Sequence, residues 1–212
     1  GERAAVPREC GLCNRSQELQ AASARAQYNP IFNIATAVIP VHWSTRILKL
    51  YDFTLAPNPR RVRIFLAEKG VEVPMEQVNT REGAQFQPQF LAVNARGTVP
   101  TLVLDDGTVL TESVAICRYF EETHPEPSLF GRTATQRAVI ENWNRRAEIE
   151  GMTSVSDALR NTLPMFAERG LVGAPDGVPQ IAALAERGKA MLERWLGHLD
   201  ARLATTRFLA GE

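Results

Sequence analysis

The chain has 212 residues, which suffices for one large domain or two small ones with a packed core. Its 24 lysine and arginine residues balance 24 aspartate and glutamate residues, which argues against a nucleic-acid partner. No apolar run reaches the roughly 20 residues of a membrane span, and no basic segment followed by an apolar one marks a signal peptide. The 3 cysteines are sparse and odd in number, which predicts no disulfide framework and a reducing compartment, the cytoplasm.

Residues 1–46 differ in pattern from the rest and are predicted to be an extension that is partly disordered. No sustained hydrophobic period is visible in them. They contain Cys10 and Cys13 in the sequence Cys-Gly-Leu-Cys. Zinc needs four protein ligands in a structural site, and only His42 lies nearby, so we predict no metal site.

Residues 47–126 alternate between strand-like and helix-like patterns. The predicted elements are a strand in ILKLYDF, a loop at Leu55–Pro59, a helix in PRRVRIFLAEKG, an edge strand in VEVPMEQVN, a short helix in FQPQFLAVN, a hairpin in TLVLDDGTVL and a helix in SVAICRYFEETHP. A βαβ unit followed by a ββα unit is the thioredoxin-like arrangement. The fold class predicted here is therefore α/β, with a mixed four-stranded sheet.

Residues 127–212 are predicted to form an all-helical domain. One long helix is expected from Thr133 to about Met165 and another from Ile181 to Ala204, because apolar residues recur in both at helical spacing.

The opening of the hairpin and the start of the next helix together predict a ligand site. An X-Pro bond adopts the cis form at a cost of only about 0.5–1 kcal/mol, and we expect a cis bond at Val99–Pro100. The Val99 N–H and C=O would then face a cleft, where a peptide can pair with them as an added strand. Glu112 and Ser113 open a helix, and a helix N-terminus favours a carboxylate. The expected ligand is a small anionic peptide.

On these residues the chain from Ile47 onward resembles a cytosolic glutathione transferase. The likeness rests on LYDF…APNPRRVRIFLAEKG, FLAVNARGTVPTLVLDDGTVLTES, AICRYFEETHP and the closing RFLAGE. It implies that glutathione is the co-substrate, held by the backbone at Val99–Pro100 and by Glu112 and Ser113 at its γ-glutamyl end. Gln85 resembles the glutamine that the bacterial nu class directs at glutathione.

The resemblance also bears on the catalytic residue. The family usually places a Tyr, Ser or Cys in the loop after the first strand, and Ala56 occupies the position of the family's serine. Asn58 resembles the asparagine that the nu class places near the sulfur, and Thr54 is the other hydrogen-bonding side chain of the loop. We therefore predict that Asn58, with Thr54 available, orients the thiol for conjugation to an electrophile or for disulfide reduction.

The family further implies a detoxifying homodimer, with its interface across the helix from Ser113 and the long helix from Thr133. Family chains normally continue past the Phe-Leu-Ala-Gly sequence, so the helical domain is expected to be incomplete. The alternatives are a non-catalytic module of the same fold, an inactive truncated remnant, or an isomerase of the zeta type, whose Ser-Ser-Cys is missing at Ala56–Asn58.

Several of these side chains also have a purely structural interpretation. Asn58 and Ser113 are common helix-capping residues. Cys117 is expected in the core. Arg60, Arg61 and Arg63 are expected on a solvated helix face.

Overall fold

A computed structural model describes residues 48–174 and 177–211. The predicted extension, with Cys10, Cys13 and His42, lies outside the described residues. The first half contains β1 (Lys49–Asp52), α1 (Pro57–Lys69), β2 (Met75–Gln77), a 3-10 turn (Ala84–Phe86), α2 (Pro88–Leu91), β3 (Thr101–Val103), β4 (Val109–Leu110) and α3 (Ser113–Thr123). The second half contains α4 (Ala134–Arg146), a π-helical turn (Ala147–Met152), α5 (Thr153–Arg160), a 3-10 turn (Pro164–Phe166) and α6 (Ala182–Leu203).

The sheet confirms the thioredoxin-like prediction. Its strand order is β2-β1-β3-β4, with β2 at an edge. The β1–β2 pair is parallel, and Leu50 lies opposite Met75. The β1–β3 and β3–β4 pairs are antiparallel, and Leu102 lies between Leu50 and Leu110. A parallel crossover through α1 followed by a hairpin gives the mixed four-stranded sheet that the element order predicted.

The core of this half lies between the sheet and the helices α1 and α3. Its buried members are Leu50, Val62, Leu66, Val73, Leu102, Ile116, Cys117 and Phe120. Each fully buried aliphatic side chain contributes roughly 1.5–3 kcal/mol through the hydrophobic effect. The predicted core position of Cys117 is confirmed, and burial raises the pKa of its thiol to about 11.

The predicted loop at Leu55–Pro59 is partly wrong, because α1 already begins at Pro57. Prolines fit the first turn of a helix, where the backbone N–H groups have no partner within the helix. Gly70 ends α1 in the left-handed conformation, with φ of 64°.

The predicted long helix is interrupted and shorter than expected. It begins correctly at Thr133, which forms a capping box with Gln136. Residues Ala147–Met152 form a π-helical turn, and a Cβ on Gly151 would lie 2.8 Å from Trp195 Nε1. The α-helix then ends at Arg160 instead of Met165, since Pro164 disfavours helical backbone in the residue before it.

The two halves belong to the same compact unit of the chain, residues 44–212. The predicted domain boundary at residues 126 and 127 falls between α3 and α4 and stays a prediction. In the described part of the chain, no helix is both long enough and apolar enough to span a membrane.

Candidate functional site

A cleft of about 690 Å³ is lined by both halves of the described chain. Five of the seven residues predicted from the sequence line it, namely Asn58, Gln85, Val99, Glu112 and Ser113. Thr54 and Pro100 do not line the cleft. The opposite wall comes from the helical half and is largely apolar, with Met152, Val155, Leu159, Leu163 and Phe166 among its members.

The backbone at Val99 is positioned to accept an added strand. The Val99–Pro100 peptide bond is cis, and Pro100 is fully buried. Within the described residues, neither the N–H nor the C=O of Val99 has a hydrogen-bond partner. An unpaired backbone donor and acceptor beside a cleft can pair with a peptide ligand.

Asn94 fixes the loop that carries Val99, and sequence reasoning did not single it out. Its buried amide donates to the Thr98 carbonyl at 2.9 Å and to the Thr101 hydroxyl at 3.0 Å. Its Oδ1 accepts from the Arg96 N–H at 3.0 Å. Asparagine commonly forms turns by accepting a hydrogen bond from the backbone N–H two residues ahead. That tendency is the feature of the sequence that could have pointed to Asn94.

Gln85 lies in the 3-10 turn and is only 3% exposed. Its Oε1 is buried and has no hydrogen-bond partner within the described residues. Leaving a buried acceptor unpaired costs about 1–3 kcal/mol. A donor group on a ligand in the cleft would satisfy this oxygen.

The start of α3 combines several anion-binding features. Glu112 is its N-cap residue, and Ser113 is its first helical residue and only 6% exposed. Arg61 Nη1 donates to Ser113 Oγ at 3.0 Å. First-turn N–H groups, a hydroxyl and a guanidinium therefore converge near one point, which suits a carboxylate. Glu112 is exposed and pairs with Arg96 at 2.7 Å.

The prediction that three arginines of α1 form a solvated face is wrong for two of them. Arg61 is half-buried and lines the cleft, and only Arg60 is exposed. Arg63 Nη1 donates to Asp52 Oδ1 at 2.6 Å. At 100° per residue the three arginines span about 160° of the helix, so Arg61 and Arg63 border the buried face while Arg60 lies opposite it. That periodicity was the signal available in the sequence.

The Asp52–Arg63 ion pair holds the loop between β1 and α1. Asp52 is fully buried and also accepts from Gln77 Nε2 at 2.6 Å. Arg63 Nη2 donates to the Thr54 carbonyl at 2.8 Å. The Thr54 hydroxyl donates to Gln77 Oε1 at 2.9 Å. These hydrogen bonds hold Thr54 within the loop, and Thr54 does not line the cleft.

Asn58 lies at the second position of α1, exposed beside the cleft. The N-cap of α1 is Ala56, so Asn58 does not cap the helix. Asn58 lies in the first turn of α1, near the positive end of the helix dipole. An amide donor and a helix N-terminus are both able to stabilise a thiolate.

Comparison with known proteins gives one consistent family. A model of the N-terminal domain of glutathione S-transferases matches residues 56–123. Glutathione S-transferase 3 of Zea mays is 36% identical over 166 residues, 78% of this chain and 71% of the maize protein. Glutathione S-transferase 2 of Saccharomyces cerevisiae is 41% identical over 117 residues, 54% of this chain and 50% of the yeast protein.

Comparison with solved structures points to the same family. The crystal structure of a glutathione S-transferase domain-containing protein from Marinobacter aquaeolei has a TM-score of 0.70 and is 34% identical, covering 77% of this chain and 78% of that one. The chain therefore belongs to the glutathione S-transferase family. The aligned part is half the length of the yeast relative.

Proposed function

We propose that this protein binds glutathione in the cleft and activates its thiol for conjugation to an electrophile or for reduction of a disulfide. The observation that carries the proposal is the set of unsatisfied groups along one side of the cleft. The Val99 backbone and Gln85 Oε1 lack partners within the described residues, and Arg61 and Ser113 stand at the N-terminus of α3.

Each part of glutathione has a matching group. The cysteinyl backbone would pair with the N–H and C=O of Val99. The γ-glutamyl carboxylate would take hydrogen bonds from Ser113, the first N–H groups of α3 and Arg61. Its ammonium would face Glu112, in competition with Arg96. Gln85 Oε1 would accept from a ligand N–H, which removes its desolvation cost.

Thiol activation is assigned to the start of α1. A free thiol has a pKa of about 8.5, so most of it is protonated at neutral pH. The Asn58 amide would donate to the sulfur, and the helix N-terminus would favour its negative charge. The thiolate then attacks the electrophilic carbon, a sulfur–carbon bond forms, and the leaving group departs with its electron pair. Thr54 would support this step through the loop scaffold.

A non-catalytic glutathione-binding module is the second candidate. Residues 53–58 contain no Tyr, Ser or Cys, and Ala56 offers only a methyl group. Such a module would bind glutathione with the same residues but would not lower the thiol pKa.

We further propose a cytoplasmic, detoxifying homodimer that associates through α3 and α4. No residue of α4 is buried within the described chain, and Val139 is 40% exposed. A second copy would cover this face. Sedimentation at several protein concentrations would detect the dimer.

Glutathione binding measured by calorimetry tests the proposal. Ser113→Ala is expected to weaken binding by at least ~1 kcal/mol, the scale of a hydrogen bond to a charged group. Thr108→Ala, in the exposed hairpin turn away from the cleft, is the control and should bind as the wild type does. If the folded wild-type chain shows no glutathione binding, both candidate functions fail.

A further inference from the structure

The carboxylates that line the cleft form ion pairs, whereas the arginines that line it do not. Its three lining carboxylates each have an arginine that lies outside the lining: Glu112 pairs with Arg96 at 2.7 Å, Glu148 with Arg145 at 2.5 Å and Asp157 with Arg187 at 3.4 Å. The cleft carboxylates are thus already compensated by charges that do not line it.

The lining arginines show the opposite pattern. They are Arg61, Arg81, Arg160 and Arg169. Across residues 48–174 and 177–211, none of the four forms an ion pair with a carboxylate. Positive charge on the cleft wall is therefore left without a counter-charge, which favours an anionic occupant.

Two of these arginines belong to the helical half, and a hydrogen bond joins the side chain of one to the backbone of the other. Arg160 Nη1 donates to the Arg169 carbonyl at 2.7 Å, and the Arg160 guanidinium carbon lies 4.7 Å from the centre of the Phe166 ring. Arg169 Nη2 donates to the Thr80 carbonyl at 3.0 Å. Each guanidinium carries five N–H donors, so most of them remain free for a ligand.

The electrostatic environment of Arg160 agrees with this geometry. Burial lowers the pKa of its guanidinium, and the neighbouring charge of Arg169 lowers it further. A second positive charge near a partly buried guanidinium disfavours its charged form. An anion placed between them would relieve the repulsion.

The surroundings of the pair are apolar. Leu163, Met165, Leu171 and Val172 line the same part of the cleft, and Met165 is 54% and Leu171 is 61% exposed. Exposed apolar groups around a pair of cations match a ligand with an apolar body and one anionic group.

We propose that Arg160 and Arg169 form an anion subsite for the second substrate, an electrophile whose apolar body carries a carboxylate. This inference rests on the proposed function. The groups assigned to glutathione lie on the thioredoxin-like half, whereas Arg160 and Arg169 belong to the helical half. The carboxylate of the second substrate would accept hydrogen bonds from both guanidinium groups while its apolar body contacts Leu163 and Phe166.

A matched pair of probes isolates the charge. With 4-chloro-3,5-dinitrobenzoate, the glutathione thiolate attacks the ring carbon that bears chlorine. The sulfur–carbon bond forms, the carbon–chlorine bond breaks, chloride leaves with the electron pair, and the thiol proton goes to solvent. The product is the 4-carboxy-2,6-dinitrophenyl thioether of glutathione. The corresponding 4-carboxamide has nearly the same shape and no added charge.

Calorimetry with glutathione and the two preformed conjugates tests the subsite without turnover. The wild-type protein should bind the carboxylate conjugate at least about tenfold more tightly than the carboxamide conjugate, since a bond between charged groups is worth about 1.5–3 kcal/mol. The preference should shrink as salt is raised from about 0.05 to 0.5 M.

Variants assign the effect to the two arginines. Arg160→Gln and Arg169→Gln should each reduce the carboxylate preference to about threefold or less, while Arg169→Lys keeps the positive charge and should lose less of the preference. Arg194→Gln, at an exposed position of α6 outside the cleft lining, should leave it unchanged. Glutathione affinity itself should stay within about twofold in all of these variants.

Each other outcome has a definite meaning. Glutathione bound with no preference between the two conjugates overturns the anion subsite and leaves the proposed function standing. Equal losses for glutathione and both conjugates in Arg169→Gln would assign this arginine to the tripeptide instead and also overturn the subsite. No binding of glutathione at all would overturn the proposed function. The wild-type comparison needs no variant, so it holds even if a variant does not fold.

Discussion

Arg61 Nη1 lies 3.0 Å from Ser113 Oγ and joins the second turn of α1 to the first residue of α3. Both residues line the cleft, and Ser113 is buried. The contact places a permanent positive charge beside the N-terminal N–H groups of α3. A ligand carboxylate bound there would meet a guanidinium, a hydroxyl and a helix dipole together.

Replacing Arg61 therefore tests whether this charge serves the ligand. Arg61→Gln is expected to weaken glutathione binding about tenfold to a hundredfold, since a charge-assisted hydrogen bond contributes about 1.5–3 kcal/mol. Arg60→Gln changes the neighbouring, exposed arginine and should leave the affinity unchanged. Calorimetry on both variants makes the comparison. Equal affinities of the two variants would contradict the role of Arg61.

Gln85 should have opposite effects on stability and on binding. Its Oε1 is buried without a hydrogen-bond partner in the described chain, so Gln85→Met removes a desolvation cost of about 1–3 kcal/mol. The ligand-free variant should melt at the wild-type temperature or a few degrees above it, because about 1 kcal/mol shifts Tm by about 2–4 °C at this size. Glutathione binding should weaken about tenfold.

Thermal unfolding and calorimetry measure the two effects on the same samples. Gln89→Met, at an exposed position of α2, is the matched control and should change neither quantity. A large loss of stability in Gln85→Met would show that the amide is a structural group and not a ligand group.

The sheet and one side of the site were predictable because their signals are local. Proline before a strand, a turn-forming Asp-Asp-Gly and a polar residue at a helix start each restrict the backbone by themselves. Val99, Glu112 and Ser113 line one cleft, and their role in binding glutathione stays a prediction.

The remaining features depend on contacts between distant segments. Arg61 meets Ser113 only because α1 and α3 lie side by side, and 52 residues separate the two in the chain. The π-helical turn contains Gly151, which Trp195 approaches closely, and no periodicity encodes that contact. Arg160 and Arg169 meet through a loop without regular spacing.

Gly97 should be essential for the loop that carries Val99. It has φ of 57°, and a Cβ added to it would lie 2.7 Å from the Phe86 ring. Gly97→Ala is expected to destabilise the protein by roughly 2–4 kcal/mol, from the backbone strain and the overlap together.

Gly83→Ala is the control, because it introduces the backbone strain alone. Gly83 has φ of 76° and nothing lies within 4 Å of an added Cβ, so the substitution should cost about 1 kcal/mol. Urea unfolding measures both. Equal costs for the two would show that the Phe86 contact is not limiting.

Lys69 and Glu121 form an ion pair at 2.5 Å that joins α1 to α3. The Lys69 side chain is fully buried, and Nζ also donates to the His124 and Pro127 carbonyls. Lys69→Met leaves Glu121 without its counter-charge and should destabilise the protein by about 3–5 kcal/mol. Arg132→Met breaks an exposed ion pair with Glu126 and should cost less than about 1 kcal/mol. Urea unfolding at neutral pH compares the two.

The same pair predicts a loss of stability in acid. Burial alone would raise the pKa of Glu121, but Lys69 and the N–H groups of Phe130 and Leu129 lower it below its ordinary value. A folded-state pKa below the unfolded value gives stability that is full above the unfolded pKa of about 4.3 and is lost as pH falls through the folded pKa. Unfolding free energies from pH 7 to 3 should fall less steeply for Glu121→Gln than for the wild type. Identical slopes would contradict the assignment.

Asn58 decides between an enzyme and a binding module. If its amide stabilises the thiolate, Asn58→Ala should raise the pKa of the bound glutathione thiol by about one unit, which corresponds to about 1.4 kcal/mol. Thiolate absorbance near 240 nm, followed during a pH titration of the complex, measures this pKa. The turnover rate for conjugation should fall by up to about tenfold at pH 7, because a rise of one pKa unit lowers the fraction of bound thiol present as thiolate by up to tenfold. Thr54→Val, outside the cleft lining, is the control and should shift the thiol pKa less. A wild-type complex whose bound thiol titrates at the value of free glutathione would show that the fold binds the tripeptide without activating it.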